Sequence, residues 1–573
     1  MVTNKYITRI ASVIMAAAVI LCLMASLFSD KLQEVYGNNA VTMKYESKLF
    51  NTDQIMDIDI LMDEDDWNNM LENAISEEYY SCNVVVNGKT FYSVGIRPKG
   101  NTSLSSIAND PDTDRYSFKL EFDHYIEGQT CYGLDKLILN NNYADATNMK
   151  EAIVYDMYQY LGVDASLYNY AKISVNGDYR GVYLALEAVE DSFMLRNYGT
   201  EDGNLYKPES MGIGGGVDGN GFPQKGEMPD GADFPQKGEM PDGEDFPQKG
   251  EMPDGEDFPQ MGEAPNGEVA DIKMGIMGGN GGADLNYTDD DLDSYSTIWD
   301  GEITDSDKKD HKRVVEALKN ISEGTDLETY MDVDNILKYM AVHTFVVNDD
   351  SLSGTMAHNY YLYEYNGKLN ILPWDYNLSF GGMSMGGKMG GQSLGATSVI
   401  NDAIDTPFSI TDFFNALLEN EEYLEQYHGY LNELVEKYVN GGEFEKTYER
   451  IRSQIDDLVG NDPTAFYSYE EYEEAANMLI EVVQLRAKSV SGQLAGTIPS
   501  TDEGQQQDSS NLIDGSDIDL SVMGSFSGGG GGNEGQGKDN GFAGTPQPFD
   551  AGDVSPISEE KADLQDSNQD SVK

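Results

Sequence analysis

The chain has 573 residues, enough for more than one hydrophobic core, but 60 glycines and 101 acidic residues indicate that much of it lies outside any core. Only 37 lysines and arginines oppose the acidic residues, so the formal net charge is -64. Such a surface repels phosphate backbones and acidic membrane surfaces, which excludes a nucleic-acid partner and favours Mg²⁺, Ca²⁺ and basic proteins.

The N-terminal segment is apolar. Lys5 and Arg9 precede residues 10–28, which carry no charge and are long enough to span a hydrocarbon core. We expect residues 1–36 to be either a signal peptide or an uncleaved membrane anchor. Positive charge before this span and acidic residues after it predict that the rest of the chain lies outside the cytoplasm, membrane-anchored or secreted. Only two cysteines follow, so at most one intramolecular disulfide can form.

Residues 41–210 combine short strand-like runs with helices, and we expect a β-rich, nucleotide-binding lobe there. Its first candidate site is the segment GIRPKGNTS. Its basic pair, Arg97 and Lys99, together with Gly100, Asn101 and Ser103, predicts a loop that binds phosphate through backbone N–H groups and cationic side chains. An ordinary turn has the same composition, so the segment alone does not decide between the two.

A lysine on the next strand is the second candidate. Residues 116–122 place Phe118, Leu120 and Phe122 on one face of a strand and Lys119 on the other. As the first strand lysine after a phosphate-type loop, Lys119 is the residue that we expect on the α and β phosphates of a nucleotide. The alternative is an exposed strand lysine without a ligand.

Two glutamates and a further lysine complete this region. Glu151 opens the helix AIVYDMYQYL, which is predicted to end at Gly162. Glu151 is either the partner of the nucleotide lysine or the capping-box glutamate that pairs with Asn148. A hairpin with an Asn-Gly turn follows, and Glu187 ends its second strand, where we expect a nucleotide-contacting hinge to the next lobe. Lys207 either faces the phosphates or pairs on the surface.

Residues 211–285 change character abruptly. The segment FPQKGEMPDGAD returns as FPQKGEMPDGED with a period of 12, beginning at Phe222, Phe234 and Phe246, and a degenerate copy begins at Phe258. This period is too short for a helical repeat, and the Pro and Gly content predicts a disordered acidic insertion. A tolerated loop expansion explains the insertion more simply than a repetitive ligand for a partner or for Ca²⁺.

Residues 286–498 are predicted to form a helical catalytic lobe. The expected helices are residues 312–321, 333–347, 410–419, 421–439, 442–459 and 469–494. A Gly/Met-rich loop follows Phe380, at the position where a kinase has its activation segment. It is either such a segment or a flexible connector. The Ser-, Gly- and Asp-rich tail, residues 499–573, is expected to be disordered. Ser509, Ser510 and Ser516 in it are candidate autophosphorylation sites.

The densest group of candidate residues lies within FVVNDDSLSGTMAHNYYLYEYNGKLNILPWDYNLSFGG. Asp350 is followed by Asn359, by a hairpin turning at Asn366-Gly367, and by Asp375. Because one residue enters the hairpin and the other leaves it, Asn359 and Asp375 are expected at the same open end, where oxygen ligands for Mg²⁺ converge. Protein kinases place a catalytic Asp, a metal-binding Asn and a metal-binding Asp in this order. The alternative is that these residues only cap turns and close a strand.

The chain resembles the CotH spore-coat kinase family of atypical, secretory-type protein kinases. The resemblance rests on IRPKGNTS, YSFKLEFD, LDKLILNNNYADATNMKEAIVYDMYQYLGV, VNGDYRGVYLALE, NLYKPE, VNDD, HNYYLY and LPWDYNLSFGG, in family order over about residues 55–490. It implies an α+β, two-lobed kinase-like fold with a β-rich N-lobe and a helical C-lobe. It also implies ATP with Mg²⁺, and transfer of the γ-phosphoryl group to Ser or Thr of a protein substrate.

Residue roles follow from the same resemblance. Asp350 orients the acceptor hydroxyl and accepts its proton, with Asp349 as the rival, while Asn359 and Asp375 hold Mg²⁺. His358 is expected to be structural. The family often has a second Asp two residues after Pro-Trp-Asp, and Asn377 stands there instead, which predicts weaker metal binding or the loss of one of two ions.

Two other readings remain open. Because ATP is scarce outside cells, the chain could be an inactive kinase-fold protein that acts in surface binding or adhesion. A kinase-like pocket that bound ATP in the reversed direction would transfer AMP instead of phosphate. The site of action implied by the leading reading is the cell or spore surface.

Overall fold

The computed structural model describes residues 40–208, 282–354, 357–383, 395–408 and 410–525. The predicted membrane segment and the 12-residue repeats lie outside these residues, as does most of the Gly/Met-rich loop. Within the described ranges, no helix has the length and apolar character needed to cross a membrane. The described part is a mixed α+β structure that belongs to one compact unit.

The N-terminal region is a closed barrel of seven strands in the order β1-β2-β3-β4-β5-β7-β6. The strands are β1 Met56–Leu61, β2 Tyr80–Val86, β3 Lys89–Lys99, β4 Ser117–Glu121, β5 Lys136–Asn140, β6 Tyr168–Val175 and β7 Asp178–Glu187. The parallel pairing of β1 with β6 closes the barrel, and its other neighbouring strands are antiparallel. Because successive side chains of a strand point to opposite faces, every second residue enters the barrel, where side chains such as Ile58, Val84 and Leu120 are fully buried. The predicted strand around Lys119 and the second Asn-Gly hairpin are confirmed.

Five helices accompany the barrel. They are α1 Lys44–Lys48, α2 Glu64–Glu72, α3 Thr102–Ala108, α4 Lys150–Leu161 and α5 Asp191–Tyr198. Helix α4 ends, as predicted, at Gly162, whose φ of 73° suits a residue without a side chain. Cys82 and Cys131 are separate buried thiols, so the disulfide that the sequence permitted is absent from this described region.

A second sheet has the order β10-β9-β8, formed by β8 Asn204–Tyr206, β9 Tyr360–Tyr365 and β10 Lys368–Pro373. The predicted Asn366-Gly367 hairpin is confirmed, with register pairs that run from Lys368–Tyr365 to Pro373–Tyr360. Strand β8 precedes the repeat insertion but pairs with β9 after it. This sheet therefore crosses the predicted domain boundary at residue 210.

Helices make up most of the remaining chain. They are α6 Ser296–Asp300, α7 Lys308–Ser322, α8 Leu327–Tyr330, α9 Val333–Val346, α10 Ala396–Ile400, α11 Asn415–Leu418, α12 Glu421–Glu433, α13 Glu443–Gly460, α14 Tyr469–Leu494 and α15 Asp502–Gln507. A π-helical turn, Leu434–Val439, extends α12. The bounds predicted for α14 are confirmed, and a Ser468 capping box fixes its start. The helix predicted over residues 410–419 is wrong in length, because only the short α11 forms there.

Two hydrophobic clusters stabilise the fold. One fills the barrel, and the other packs α4 and the second sheet against α9, α12, α13 and α14. Arg115 joins the barrel to the turn after α13. Its guanidinium donates to both carboxylate oxygens of Asp462, at 2.9 and 2.8 Å, and to the backbone oxygen of Val182 at 2.6 Å. The two-lobed arrangement implied by the resemblance stays a prediction.

The tail differs from the expectation of disorder over residues 499–573. Residues 499–524, which we call the C-terminal strap, continue beyond α14 as defined structure that contains α15 and a short helical turn at Leu520–Met523. Met523 is 1% exposed and belongs to the larger hydrophobic cluster. Composition did not predict this part because its order depends on distant apolar and backbone partners. The rest of the tail, from residue 526, lies outside the described residues.

Candidate active site

A cavity of about 390 Å³ lies where one end of the barrel meets the second sheet. Its walls include Arg97, Lys99, Gly100, Asn101, Ser103, Ser117, Asn140, Asn141, Asn142, Tyr143, Ala144, Glu151, Lys207, Asp350, His358, Asn359, Trp374, Asp375 and Asn377. Three basic side chains, Arg97, Lys99 and Lys207, thus share one cavity with four carboxyl groups, those of Glu77, Glu151, Asp350 and Asp375. This size is within the range of small-molecule sites.

The row of residues at the ends of three barrel strands forms one wall. Lys99 at the end of β3 pairs in register with Ser117 on β4. Because Phe118 of β4 pairs with Leu139 of β5, the next residue of β5, Asn140, lies beside Ser117. The Lys99 ammonium donates to Asn140 Oδ1 at 3.2 Å. Burial lowers the pKa of Lys99, while the charge of Asp375 opposes this effect. Lys99 therefore lines the cavity with a pKa below its ordinary value, and the neighbouring Asp375 carboxylate favours its charged form.

Glu151 faces this lysine from the first turn of α4. Its Oε2 accepts a hydrogen bond from Asn140 Nδ2 at 2.9 Å, and its buried Oε1 has no hydrogen-bond partner. The pKa of Glu151 is raised to about 8, chiefly by burial and also by the Asp375 carboxylate, although the Asn140 hydrogen bond and Lys99 oppose the rise. The capping-box alternative is wrong: the N-cap of α4 is Met149, and the first helical N–H donates to Asp145 and Thr147 instead of Asn148.

Asp350 and Asn359 meet across the loop between α9 and β9. Asn359 Nδ2 donates to Asp350 Oδ2 and to the Asp350 backbone oxygen, both at 2.8 Å. His358 Nε2 lies 2.9 Å from the other carboxylate oxygen of Asp350. Because Nδ2 is occupied, Asn359 presents Oδ1 as its remaining acceptor. The loop thus has the internal bonds that a turn needs, and it also brings both residues to the cavity wall.

Asp375 follows β10 at the same end of the hairpin as Asn359. Both residues have left-handed backbones, with φ of 58° and 59°, a conformation that is rare for residues with side chains and occurs often at functional sites. Burial raises the pKa of Asp375, and the Lys99 ammonium opposes the rise. The predicted convergence of Asn359 and Asp375 on one cavity is therefore observed.

The amide at Asn377, where the family often has a second Asp, is partly used within the protein. Its Nδ2 donates to the backbone oxygen of Tyr143 at 2.9 Å, across the cavity wall. This bond links the segment after β10 to the loop after β5. It leaves Asn377 Oδ1 as a neutral acceptor on the cavity side.

The predicted phosphate loop also lines the cavity: Arg97, Gly100, Asn101 and Ser103 all contribute to its wall. Arg97 is held by an ion pair with Glu77 and donates to the backbone oxygen of Pro98 at 3.0 Å. Gly100 has a φ of 135°, and a Cβ there would lie 2.9 Å from Ser103 Oγ. A glycine is needed for this close turn.

Two predicted nucleotide residues lie elsewhere. Lys119 forms an ion pair with Glu190, which also pairs with Lys136. Glu187 is fully buried and accepts from Arg196 and from the hydroxyl of Tyr45. Both predictions are wrong, because these side chains are used in structural pairs outside the cavity wall.

The sequence predictions named Lys99 only in the basic pair of the phosphate loop and preferred Lys119 as the nucleotide lysine. They left Lys207 open and gave Asn140 no role. Lys99 stood in the quoted loop, two residues after Arg97, and the period-2 repeat of a strand would have placed both on one face. Asn140 carries no such signal. Asp349, the rival to Asp350, is absent from the cavity wall, and burial raises its pKa.

The donors in the cavity fit Mg²⁺ with a nucleotide. No group of three or more His, Cys, Asp or Glu side chains in the described ranges could hold a metal by itself. Mg²⁺ is usually held by one or two carboxylates together with substrate phosphates and water, so Asp375 and the Asn359 oxygen meet that need. Lys99, Arg97 and Lys207 supply positive charge for phosphates.

Comparison with known proteins agrees with this geometry. A family model described as "CotH kinase protein" matches residues 96–490, well over half of the chain. The chain belongs to the CotH kinase family. The match spans the cavity residues from Arg97 to Asn377, whereas Glu77 and the C-terminal strap lie outside it. No curated protein matches the chain.

Proposed function

We propose that this CotH-family protein is a kinase that transfers the γ-phosphoryl group of ATP, with Mg²⁺, to Ser or Thr of a protein. The observation that carries the proposal is the meeting of Lys99, Asp350, Asn359 and Asp375 around one cavity. Each of these residues comes from a motif within the family match. Catalysis of this kind depends on positioning and electrostatics, which a fixed set of charges provides.

Lys99 binds the nucleotide phosphates in this mechanism. Asn140 accepts a hydrogen bond from Lys99 and donates one to Glu151, so these two residues fix the position of the lysine side chain. Binding of an anion next to Lys99 favours its charged form. Asp375 and Asn359 Oδ1 would hold Mg²⁺, which when bound neutralises charge on the transferring phosphate. Glu151 resembles the helix glutamate that pairs with the nucleotide lysine in protein kinases.

Asp350 receives the acceptor. Its carboxylate, held by Asn359 and His358, orients the hydroxyl of the protein substrate and takes its proton as the new phosphorus–oxygen bond forms. The bond between the γ-phosphorus and the bridging oxygen breaks, and ADP leaves. His358 acts on the reaction through its hydrogen bond to Asp350. The proton is held on the carboxylate until solvent removes it.

The partner and location follow from charge and from the N-terminal segment. A chain with a formal charge of -64 attracts basic acceptor proteins, at a rate that falls with ionic strength. We further propose that residues 1–36 direct the chain to, or anchor it in, a membrane with the catalytic region outside the cytoplasm, at a cell or spore surface.

Mass spectrometry of the protein and of a generic basic protein, incubated with ATP and Mg²⁺, tests the proposal. Phosphate on Ser or Thr is the expected product, and omission of Mg²⁺ should abolish it. AMP adducts would replace the kinase by a nucleotidyl transferase. Absence of any adduct, together with no thermal stabilisation by ATP and Mg²⁺, would favour an inactive surface binding or adhesion protein.

A further inference from the structure

The C-terminal strap, residues 499–524, lies beyond the family match but contacts the candidate active site. Its first part is fixed near α10. Asp405 N donates to Ser500 O at 2.8 Å, and Thr406 Oγ1 donates to Asp502 Oδ2 at 2.9 Å. These bonds hold α15 against the catalytic region.

The middle of the strap pairs with a single asparagine at the end of α10. Asn401 Nδ2 donates to Ile513 O at 2.8 Å, and Ile513 N donates to Asn401 Oδ1 at 2.9 Å. Gly515 N then donates to Thr397 Oγ1 at 3.0 Å. A Cβ at Gly515 would lie 2.8 Å from Thr397 N, so the strap approaches α10 more closely than a side chain allows.

The end of the strap reaches two segments of the cavity wall. Leu520 packs on Gly381, in the segment that begins at Asp375; a Cβ at Gly381 would lie 3.0 Å from Leu520 Cδ1. The backbone N–H of Ala146 donates to Met523 O at 3.1 Å. Gly524, with φ of 82°, packs so closely that an added Cβ would lie 2.6 Å from Ala144 O.

The loop that receives this contact is strained. Asn142 and Ala144 line the cavity with φ of 60° and 57°, and alanine rarely adopts such a backbone. Strained conformations persist where their surroundings hold them. Asn377 holds this loop through its hydrogen bond to Tyr143 O. The strap holds it through the hydrogen bond from Ala146 N to Met523 O and through the packing of Gly524 against Ala144 O.

We infer that the C-terminal strap is a positioning element of the active site, which fixes the loop of residues 141–146 and the segment after Asp375 in the geometry that binds the nucleotide. The inference rests on the proposed function for its nucleotide readout. The contacts themselves are independent of any activity. Because small displacements of positioning residues can reduce catalysis strongly, loss of the strap should affect nucleotide use before it affects the fold as a whole.

Gly524→Ala is the sharpest test, because its Cβ would collide with Ala144 O. Gly496→Ala is the matched control: Gly496 has a similar φ of 68°, but a Cβ there meets nothing within 4 Å. We expect Gly524→Ala to raise the KM for ATP roughly tenfold, with kcat for a basic acceptor changed less. Gly496→Ala should leave the KM within about twofold of the parent value. Gly524 combines its φ of 82° with a ψ of 147°, a region used almost only by glycine, so Gly524→Ala displaces the strap through backbone strain as well as through the collision.

Two truncations complete the test. Deletion of residues 526–573 keeps the strap and should leave the KM for ATP unchanged, whereas deletion of residues 509–573 should raise it. A synthetic peptide of residues 509–525, added to the shorter protein, should lower the KM again. If the shorter protein does not fold, Gly524→Ala still decides the question.

Hydrogen exchange separates failure of this inference from failure of the proposed function. The Ala146 amide should exchange at least about tenfold faster in Gly524→Ala than in Gly496→Ala, whether or not the protein transfers phosphate. Unchanged exchange at Ala146, or an unchanged KM for ATP in an active Gly524→Ala protein, would overturn the inference. Faster exchange in a protein that transfers no phosphate would leave the contact established, refute the proposed function and remove the nucleotide role.

Discussion

Replacing Lys99 with methionine removes the cavity ammonium and keeps most of the side-chain stem. The stem passes Trp374, with Lys99 Nζ 5.4 Å from the ring centroid, and methionine can retain this packing. The lost charge faces Asp375 and Glu151, where the nucleotide phosphates are expected. Loss of one positioned charge-stabilising group costs about 3–4 kcal/mol in the transition state, so we expect kcat to fall by roughly 10²–10³.

Lys119→Met provides the matched control, since Lys119 is the strand lysine that the sequence favoured. Its partner Glu190 keeps a second ion pair with Lys136. Burial by itself would raise the pKa of Glu190, but the two lysines outweigh it and hold this pKa below its ordinary value. We expect Lys119→Met to lose about 1–2 kcal/mol of unfolding free energy and to keep its transfer rate.

The assay is steady-state phosphoryl transfer to a basic protein, with kcat and KM for ATP measured separately. Urea unfolding of each variant shows how much folded protein is present. The reasoning is refuted if Lys119→Met abolishes transfer while Lys99→Met, folded to the same extent, remains active.

Three further substitutions test other parts of the account. Asp350→Asn should reduce kcat at least about 10²-fold with little change in nucleotide affinity; loss of affinity instead would contradict the assigned acceptor role. The pKa of Glu151 is raised from 4.5 to about 8 in the folded protein, so its protonated form contributes to the free energy of unfolding in full below pH 4.5. This contribution is lost as the pH rises from 4.5 through 8. Glu151→Gln should therefore gain about 2–4 kcal/mol relative to the parent between pH 5 and pH 9 in urea unfolding, and parallel pH curves would contradict this. Arg115→Met leaves the Asp462 carboxylate, 2% exposed, without its charge partner. It should cost about 3–5 kcal/mol in urea unfolding, and a loss below about 1 kcal/mol would refute the importance of that ion pair.

The parts of the fold with local signals were predictable. The two Asn-Gly turns identified both hairpins, because this dipeptide suits the left-handed turn that joins adjacent strands. The long helix α14 has a periodic apolar face and a Ser468 capping box, so its bounds were predicted. The hairpin in turn brought Asn359 and Asp375 together, which is why most of the candidate site could be found from sequence.

Lys119 was preferred to Lys99 as the candidate nucleotide lysine because the choice depends on register between strands. Alternation puts Lys119 opposite the apolar face of β4, but it does not say which end of the barrel holds the cavity. The cavity row passes through Lys99, Ser117 and Asn140, and Lys119 lies two residues further along β4. Arg97, the register partner of Lys119, still lines the cavity, so strand position alone does not exclude Lys119; its ion pair with Glu190 holds the ammonium away from the cavity wall.

The C-terminal strap was missed for a different reason. Its composition is that of a disordered tail, and its few apolar residues show no period. Leu520 and Met523 are held by residues more than a hundred positions earlier in the chain. A composition argument reports the average character of a segment and cannot reveal partners at this distance.

Transfer from γ-labelled ATP to a basic protein, measured for the parent protein and for Asp375→Asn with and without Mg²⁺, tests the central claim most directly. The account predicts Mg²⁺-dependent label on Ser or Thr with the parent protein, and at least about 10²-fold less with the variant, because an amide replaces the metal carboxylate. Label that appears only when ATP carries it at the α position would show AMP transfer. Equal γ-label transfer by the parent protein and the variant would contradict the assignment of this cavity as the active site.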